Sequence, residues 1–265
     1  MIKQTDVKML EQTAHLAQVR GRSLWEDARV RFFRNKAAVA GLFVLIAICA
    51  LALFGGLFAK FEPDYVDFSL MGANAYQGVP SLSSGHYFGT DIDGRDLFAR
   101  TVQGTSISLL IGIVVSLVAV IVGTLYGATA GYIGGRTDGI MMRIVDILMS
   151  IPFMFVLILM LVIFGRSILM LFIGIGLISW LNMARIARGQ TLTIKNKEFV
   201  EAAIATGVSP FTIILRHTIP NLLGIVIVYA TLLVPEMIIF ESFISYLGLG
   251  VQEPNTSLGA LINAG

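Results

Sequence analysis

The chain has 265 residues, 56% of them hydrophobic and only 14% charged, with a mean hydropathy of +0.82. A soluble domain carries about 25% charged residues, so the composition excludes an ordinary soluble enzyme and describes a chain built for lipid, with its charges crowded into the gaps between apolar stretches. The net charge of +2 says little, because its distribution matters more than its sum, and the single cysteine, Cys49, excludes a disulfide framework or a cysteine metal site.

A long basic stretch precedes the first apolar run, and no cleavage-site pattern follows it, so no signal peptide is expected. Within this tail, residues 1–36, Ser23 to Glu26 reads S-x-x-E, a capping box that predicts a helix start. That helix gathers Trp25, Ala28, Phe32 and Phe33 near one face, with Arg29, Arg31, Arg34 and Lys36 around it. This is the pattern of an interfacial helix on the inner leaflet, where the plain alternative is a basic flank that only sets topology.

A membrane-spanning helix needs about 20 apolar residues. Residues 37–59, 101–135, 147–165, 167–184 and 218–235 supply five such windows within a transmembrane domain of residues 37–265. The third is interrupted by Pro152, which membrane helices tolerate. It lies so close to the fourth that the two form a tight hairpin. After the fifth, Glu236 and Glu241 precede a glycine-rich stretch expected to be a helix or loop at the outer surface. Most of the 19 basic residues fall in the tail and in alternate gaps: Arg136 and Arg143, then Arg185, Arg188, Lys195, Lys197 and Arg216. The opposite side holds Lys60, Arg95, Arg100 and Arg166. By the positive-inside rule the N-terminus is cytoplasmic.

The first outer loop, residues 61–100, is too long for a simple connector. Its Asp91-x-Asp93-Gly94 reads as a turn, not a calcium loop, because Arg95 follows at once and no glutamate completes the set. His86 reads as a hydrogen-bonded loop residue. In the second span, Gly123, Gly127 and Gly131 recur every four residues and open a groove for another helix.

The inner gap, residues 185–217, is the most informative segment. Phe199, Ala202, Ala203 and Thr206 fall on one helix face at i, i+3, i+4 and i+7. Lys197 and Glu201 flank it four residues apart. Gly207 supplies a helix stop, and Ser209 with Pro210 starts a second short helix expected to end before Pro220. A narrow alanine face on a sharp turn suits insertion into a groove of another protein. The plain alternative is an amphipathic hairpin packed on the protein's own helices.

Here the residues carry a family resemblance. Glu201-Ala202-Ala203, Gly207 and His217-Thr218-Ile219-Pro220 resemble the EAA loop of ABC importer permeases, with His217 and Ile219 departing from the usual isoleucine and leucine. Phe88-Gly89-Thr90-Asp91 with Gly94-Arg95-Asp96, Trp180 to Arg185, Phe240-Glu241-Ser242-Phe243 and Leu247 to Gly250 are similar to the C-type permease of dipeptide and oligopeptide importers.

The resemblance implies an all-α membrane protein with the type I ABC importer permease fold, five transmembrane helices being visible of an expected six. It implies a multi-pass subunit of the bacterial inner membrane that pairs with a B-type permease. Two cytoplasmic ATPase subunits and an extracytoplasmic peptide-binding protein complete the machine. Glu198, Glu201, Ala202, Ala203 and Gly207 would couple to the ATPases. ATP and magnesium would sit on those partners, since this chain has no phosphate-binding loop motif. No metal site, catalytic residue or nucleic-acid partner is expected.

Relatives in the family that carry nickel or glutathione are the alternative cargo. Glu236 and Glu241 are the candidates for a substrate path; as residues at span ends, with Asp146 and Arg185, their plain reading is that of interface charges. A gradient-driven transporter would want ionisable residues in mid-span. A membrane enzyme would want a carboxylate pair or a histidine cluster. The charge-free windows and the separated His15, His86 and His217 supply neither.

Overall fold

The computed structural model describes residues 24–71 and 78–264, and the chain divides into two compact units, Met1–Cys49 and Ala50–Gly265. The described residues are helical, with no strand beyond two isolated bridges, Val66 with Arg95 and Thr90 with Asp96.

In the first unit, helix α1 (Leu24–Arg34) carries Glu26 and Asp27 in its first turn and Arg31 and Arg34 in its last, which suits the helix dipole. The expected capping residue, Ser23, lies outside the described residues. Asn35 ends α1 and starts α2 (Lys36–Phe54): its side-chain oxygen accepts from the amides of Ala37 and Ala38 at 3.1 and 3.3 Å. Helix α2 is apolar all round, the signature of a membrane span.

The second unit is built on three long helices. Helix α3 (Leu97–Ile133) and helix α6 (Ile168–Ile194) run parallel. Gly123 faces the carbonyl of Trp180, Gly127 that of Ala184, and Gly131 that of Arg188, the two sequences advancing together. A methyl group at Gly127 would overlap the Ala184 carbonyl, so the glycine ladder permits the backbone approach. Helix α9 (Ile219–Tyr246) runs antiparallel to α3, placing Ile238 against Gly112 and Glu241 against Ser108. The core clusters lie where α3, α6 and α9 meet.

Three expectations about the spans need correction. The third span is not one helix: α4 (Gly135–Ser150) and α5 (Phe153–Phe164) are bent by 75°. Pro152 has no amide hydrogen and drives Ile151 into the extended region (ψ 125). Alone, α5 rises about 18 Å, short of the roughly 30 Å hydrocarbon core. Among the described residues four helices are therefore long and apolar enough to cross, and a fifth crossing counts the bent pair as one span. The fourth span does not stop at Ala184: α6 continues to Ile194, carrying Arg185 and Arg188 on a helix about 40 Å long. There Arg188 clasps Asp138 through two bonds (2.5 and 2.7 Å), and Arg185 pairs with Asp146 (2.5 Å), fixing α4 against α6.

The fifth span does not stop at Pro235. Helix α9 passes through it to Tyr246, so Glu236 and Glu241 lie within the helix instead of beyond its end. Beyond α9, Gly248 (φ +74) turns the chain, with Leu249 N–H donating to Ile244 O and Gly248 N–H to Ser245 O. A short helix α10 (Leu258–Ala264) then packs on α3 and α9, where Gly104 and Gly259 leave room for it.

Residues 91–95 form the turn expected. Gly94 (φ +75) closes it and Arg95 reaches Asp91 (2.8 Å), Asp93 (2.6 Å) and, from the far loop, Glu253 (2.5 Å). His86 Nδ1 meets buried Asp96 at 2.8 Å, and Asp96 also caps α3 through Ala99 N–H. Asp67 accepts from the hydroxyl and amide of Ser69, and these bonds hold its carboxyl below the usual carboxylate range.

Candidate coupling site

The segment joining α6 to α9 contains helix α7 (Glu198–Ala205) and helix α8 (Pro210–Ile213). Glu198 and Glu201 occupy the first turn of α7, where the helix dipole favours carboxylates. The stop is a full Schellman turn: Val208 N–H donates to Ala203 O (3.1 Å) and Gly207 N–H to Ile204 O (2.9 Å), with Gly207 at φ +80. Ser209 then accepts from Thr212 N–H and Pro210 opens α8. The Gly207 stop and the Ser209-Pro210 start stand where the sequence placed them.

The two faces of α7 do different things. Val200 (0% exposed) and Ala203 (7%) pack with Ile213, and Tyr132, Ile194 and Val208 close the cluster around them. Tyr132 comes from the C-terminal end of α3 and Ile194 from that of α6, so α7 is seated on both long helices. Glu198, Phe199, Glu201, Ala202, Thr206 and Gly207 are exposed. Ala203, expected on the open face with Ala202, belongs instead to the seated one. The wheel centred on Phe199 was a residue out of phase, because Val200 supplies the larger apolar anchor. Val200, Ile213 and Tyr132 were missed; Val200 and Ala203 at i, i+3 were the available signal.

The expected break before Pro220 is absent. From α8 the chain passes through a π-helical turn, Ile214–Thr218, straight into α9, the whole forming one helical run, Pro210–Tyr246. Ile219 N–H bonds Ile214 O in the wider ring, and Asn221 Nδ2 donates to His217 O at 2.6 Å. Since Pro220 has no amide hydrogen, one carbonyl loses its backbone donor here in either register, and the wider turn costs little extra.

An open cleft of about 550 Å³ lies beside α7, lined by Tyr132, Ile133, Lys195, Asn196, Glu201, Ile204 and Pro210. Exposed Phe199 (42%) and Ile204 (55%) flank the alanine surface. The exposed face of α7 is therefore apolar with acidic edges. Among the described residues no histidine, cysteine and carboxylate group could hold a metal ion.

The two path candidates sit in different surroundings. Glu236 is exposed on α9. Glu241 is fully buried: Ser108 Oγ donates to it at 2.8 Å and Ser245 Oγ at 2.6 Å.

Comparison with known proteins gives matches along the chain. The family described as binding-protein-dependent transport system inner membrane component matches residues 123–265. A family described as the N-terminal TM domain of oligopeptide transport permease C matches residues 23–77. The chain is 51% identical over 265 residues to the oligopeptide transport system permease protein OppC of Escherichia coli, covering 100% of this chain and 86% of the relative. It is 52% identical over 267 residues to the OppC protein of Haemophilus influenzae, covering 100% and 84%. To the dipeptide transport system permease protein DppC of Bacillus subtilis it is 42% identical over 243 residues, covering 92% and 74%.

Proposed function

The chain belongs to the family of binding-protein-dependent transport system inner membrane components, and we propose that it is the permease subunit of an ATP-driven importer that takes up peptides. With a second permease it forms the translocation path. Two partner ATPases bind ATP and magnesium, an extracytoplasmic binding protein delivers the cargo, and this chain hydrolyses nothing. The bias of lysine and arginine puts the N-terminus and α7 on the cytoplasmic side of a bacterial inner membrane.

The observation that carries the reading is the two-faced α7. Its open face, Glu198, Phe199, Glu201 and Ala202, fits into a groove of the ATPase, while Ala203 and the Gly207 turn hold its shape. Closure of the ATPases displaces α7. Because Val200 and Ala203 are packed with Tyr132 and Ile194, that displacement is passed to α3 and α6, and through α8 and the π-turn to α9. The ligand-driven shift then rests on contacts that differ between two states of the permease pair. Glu236 on α9 is the carboxylate left to face a cargo amino group. The peptide cargo follows the printed functions of the relatives.

The test is uptake. Proteoliposomes holding the complete complex should accumulate labelled peptide only when binding protein is outside and ATP is available to the ATPases. Uptake that is independent of ATP, or that needs no binding protein, would overturn the reading.

A further inference from the structure

Helix α1 takes no part in the coupling geometry, yet it exposes aromatic surface. Trp25 is 82% exposed and Phe33 63%. On a helical projection Trp25, Ala28 and Phe32 fall in one sector, Arg29 and Phe33 flank it, and Asp27, Arg31 and Arg34 lie away from it. Asp27 and Arg31 neutralise one another at 2.9 Å. Arg29, Arg34 and Lys36 pair with no carboxylate among the described residues.

One of these cations also stands where the backbone disfavours it: Lys36 opens α2, at the positive end of its dipole. Local electrostatics gives no reason for it there; an external anion does. Asn35 fixes the depth. Its cap starts α2, whose apolar run begins directly after Lys36, so α1 ends at the edge of the hydrocarbon. Aromatic rings that sit at that level, beside guanidinium groups, match the boundary between acyl chains and headgroups.

We propose that α1 is a lipid-binding helix that lies on an anionic phospholipid surface, with Trp25 and Phe32 sunk among the upper acyl carbons and Arg29 and Lys36 on headgroup phosphates. The recognised chemistry is the negatively charged phosphodiester of a bilayer, not a segment of protein.

The full chain offers a direct probe, because its only other tryptophan is Trp180. A Trp180→Phe variant is placed in nanodiscs with and without phosphatidylglycerol. Trp25 emission should be quenched by lipid brominated near the headgroup, should resist iodide, and should do so more completely when phosphatidylglycerol is present. Arg29→Gln with Lys36→Gln should abolish that lipid dependence, each lost charge weakening the attraction about fivefold. Arg29→Lys should preserve it. If Trp25 is quenched by iodide in anionic discs, the helix stands in water and the proposal fails. If it is shielded from iodide and bromolipid alike, or leaves the lipid when ATPase subunits are added, α1 is a protein-docking helix and the proposal fails as well.

Discussion

Glu241 is the residue whose surroundings most changed its meaning. A carboxylate inside an apolar helix is costly unless its oxygens are bonded, and three serines surround it: Ser108, Ser242 and Ser245. Ser108 also accepts from Leu258 N–H and Ser245 from Val251 N–H, so one carboxylate pins the segment after α9 to α3. Glu241→Ala should lower stability by about 1–3 kcal/mol, by stranding those hydroxyls, while Glu241→Gln retains most of it; thermal unfolding of the purified chain in detergent decides. Ser242 and Ser245, one and four residues on, were visible in the sequence. Ser108 was not, since its closeness depends on antiparallel packing of α3 and α9. Asp67 supports a smaller prediction. Its folded value is depressed, so its share in the 68–70 turn is complete above the ordinary carboxylate pKa of about 3.9 and fades as pH falls through the lower folded value. Amide exchange at Ser69 should therefore accelerate only in strong acid.

Among the helices, the glycine ladder was legible because its four-residue period states a need for close approach whatever the partner. The structure names the partner as α6. Gly127→Leu should separate α3 from α6 and prevent recovery of folded protein, whereas Gly139→Leu, on open surface of α4, should be well tolerated; size-exclusion profiles after solubilisation compare the two. Proline was harder to read. Pro152 bends the chain, Pro235 is absorbed, and Pro220 sits just after a π-turn. A proline removes one donor in each case, and neighbouring packing decides whether the helix breaks, kinks or widens. The true end of α6 was hidden for a related reason: Arg185 and Arg188 look like loop charges until Asp138 and Asp146 are brought across to meet them.

For the whole molecule, the all-helical membrane class followed from apolar run length, which requires no tertiary information. The coupling segment was legible because its capping signals are local: Gly207, Ser209 and Pro210 act on their own turns. Which face of α7 is open was not, since that depends on Tyr132 and Ile194, over 60 residues and a few residues away respectively in the chain. The account stands or falls on that open face. The measurement to make is ATP hydrolysis by the complete complex, with and without peptide-loaded binding protein, for the parent and for Ala202→Arg and Gly207→Pro. Arginine at position 202 places a bulky charge on the open face, and proline at 207 removes the amide that closes the turn and cannot adopt φ +80. Both variants should lose stimulation by binding protein and retain the ATPases at least about tenfold more weakly. Full stimulation and unchanged ATPase retention in both would contradict it.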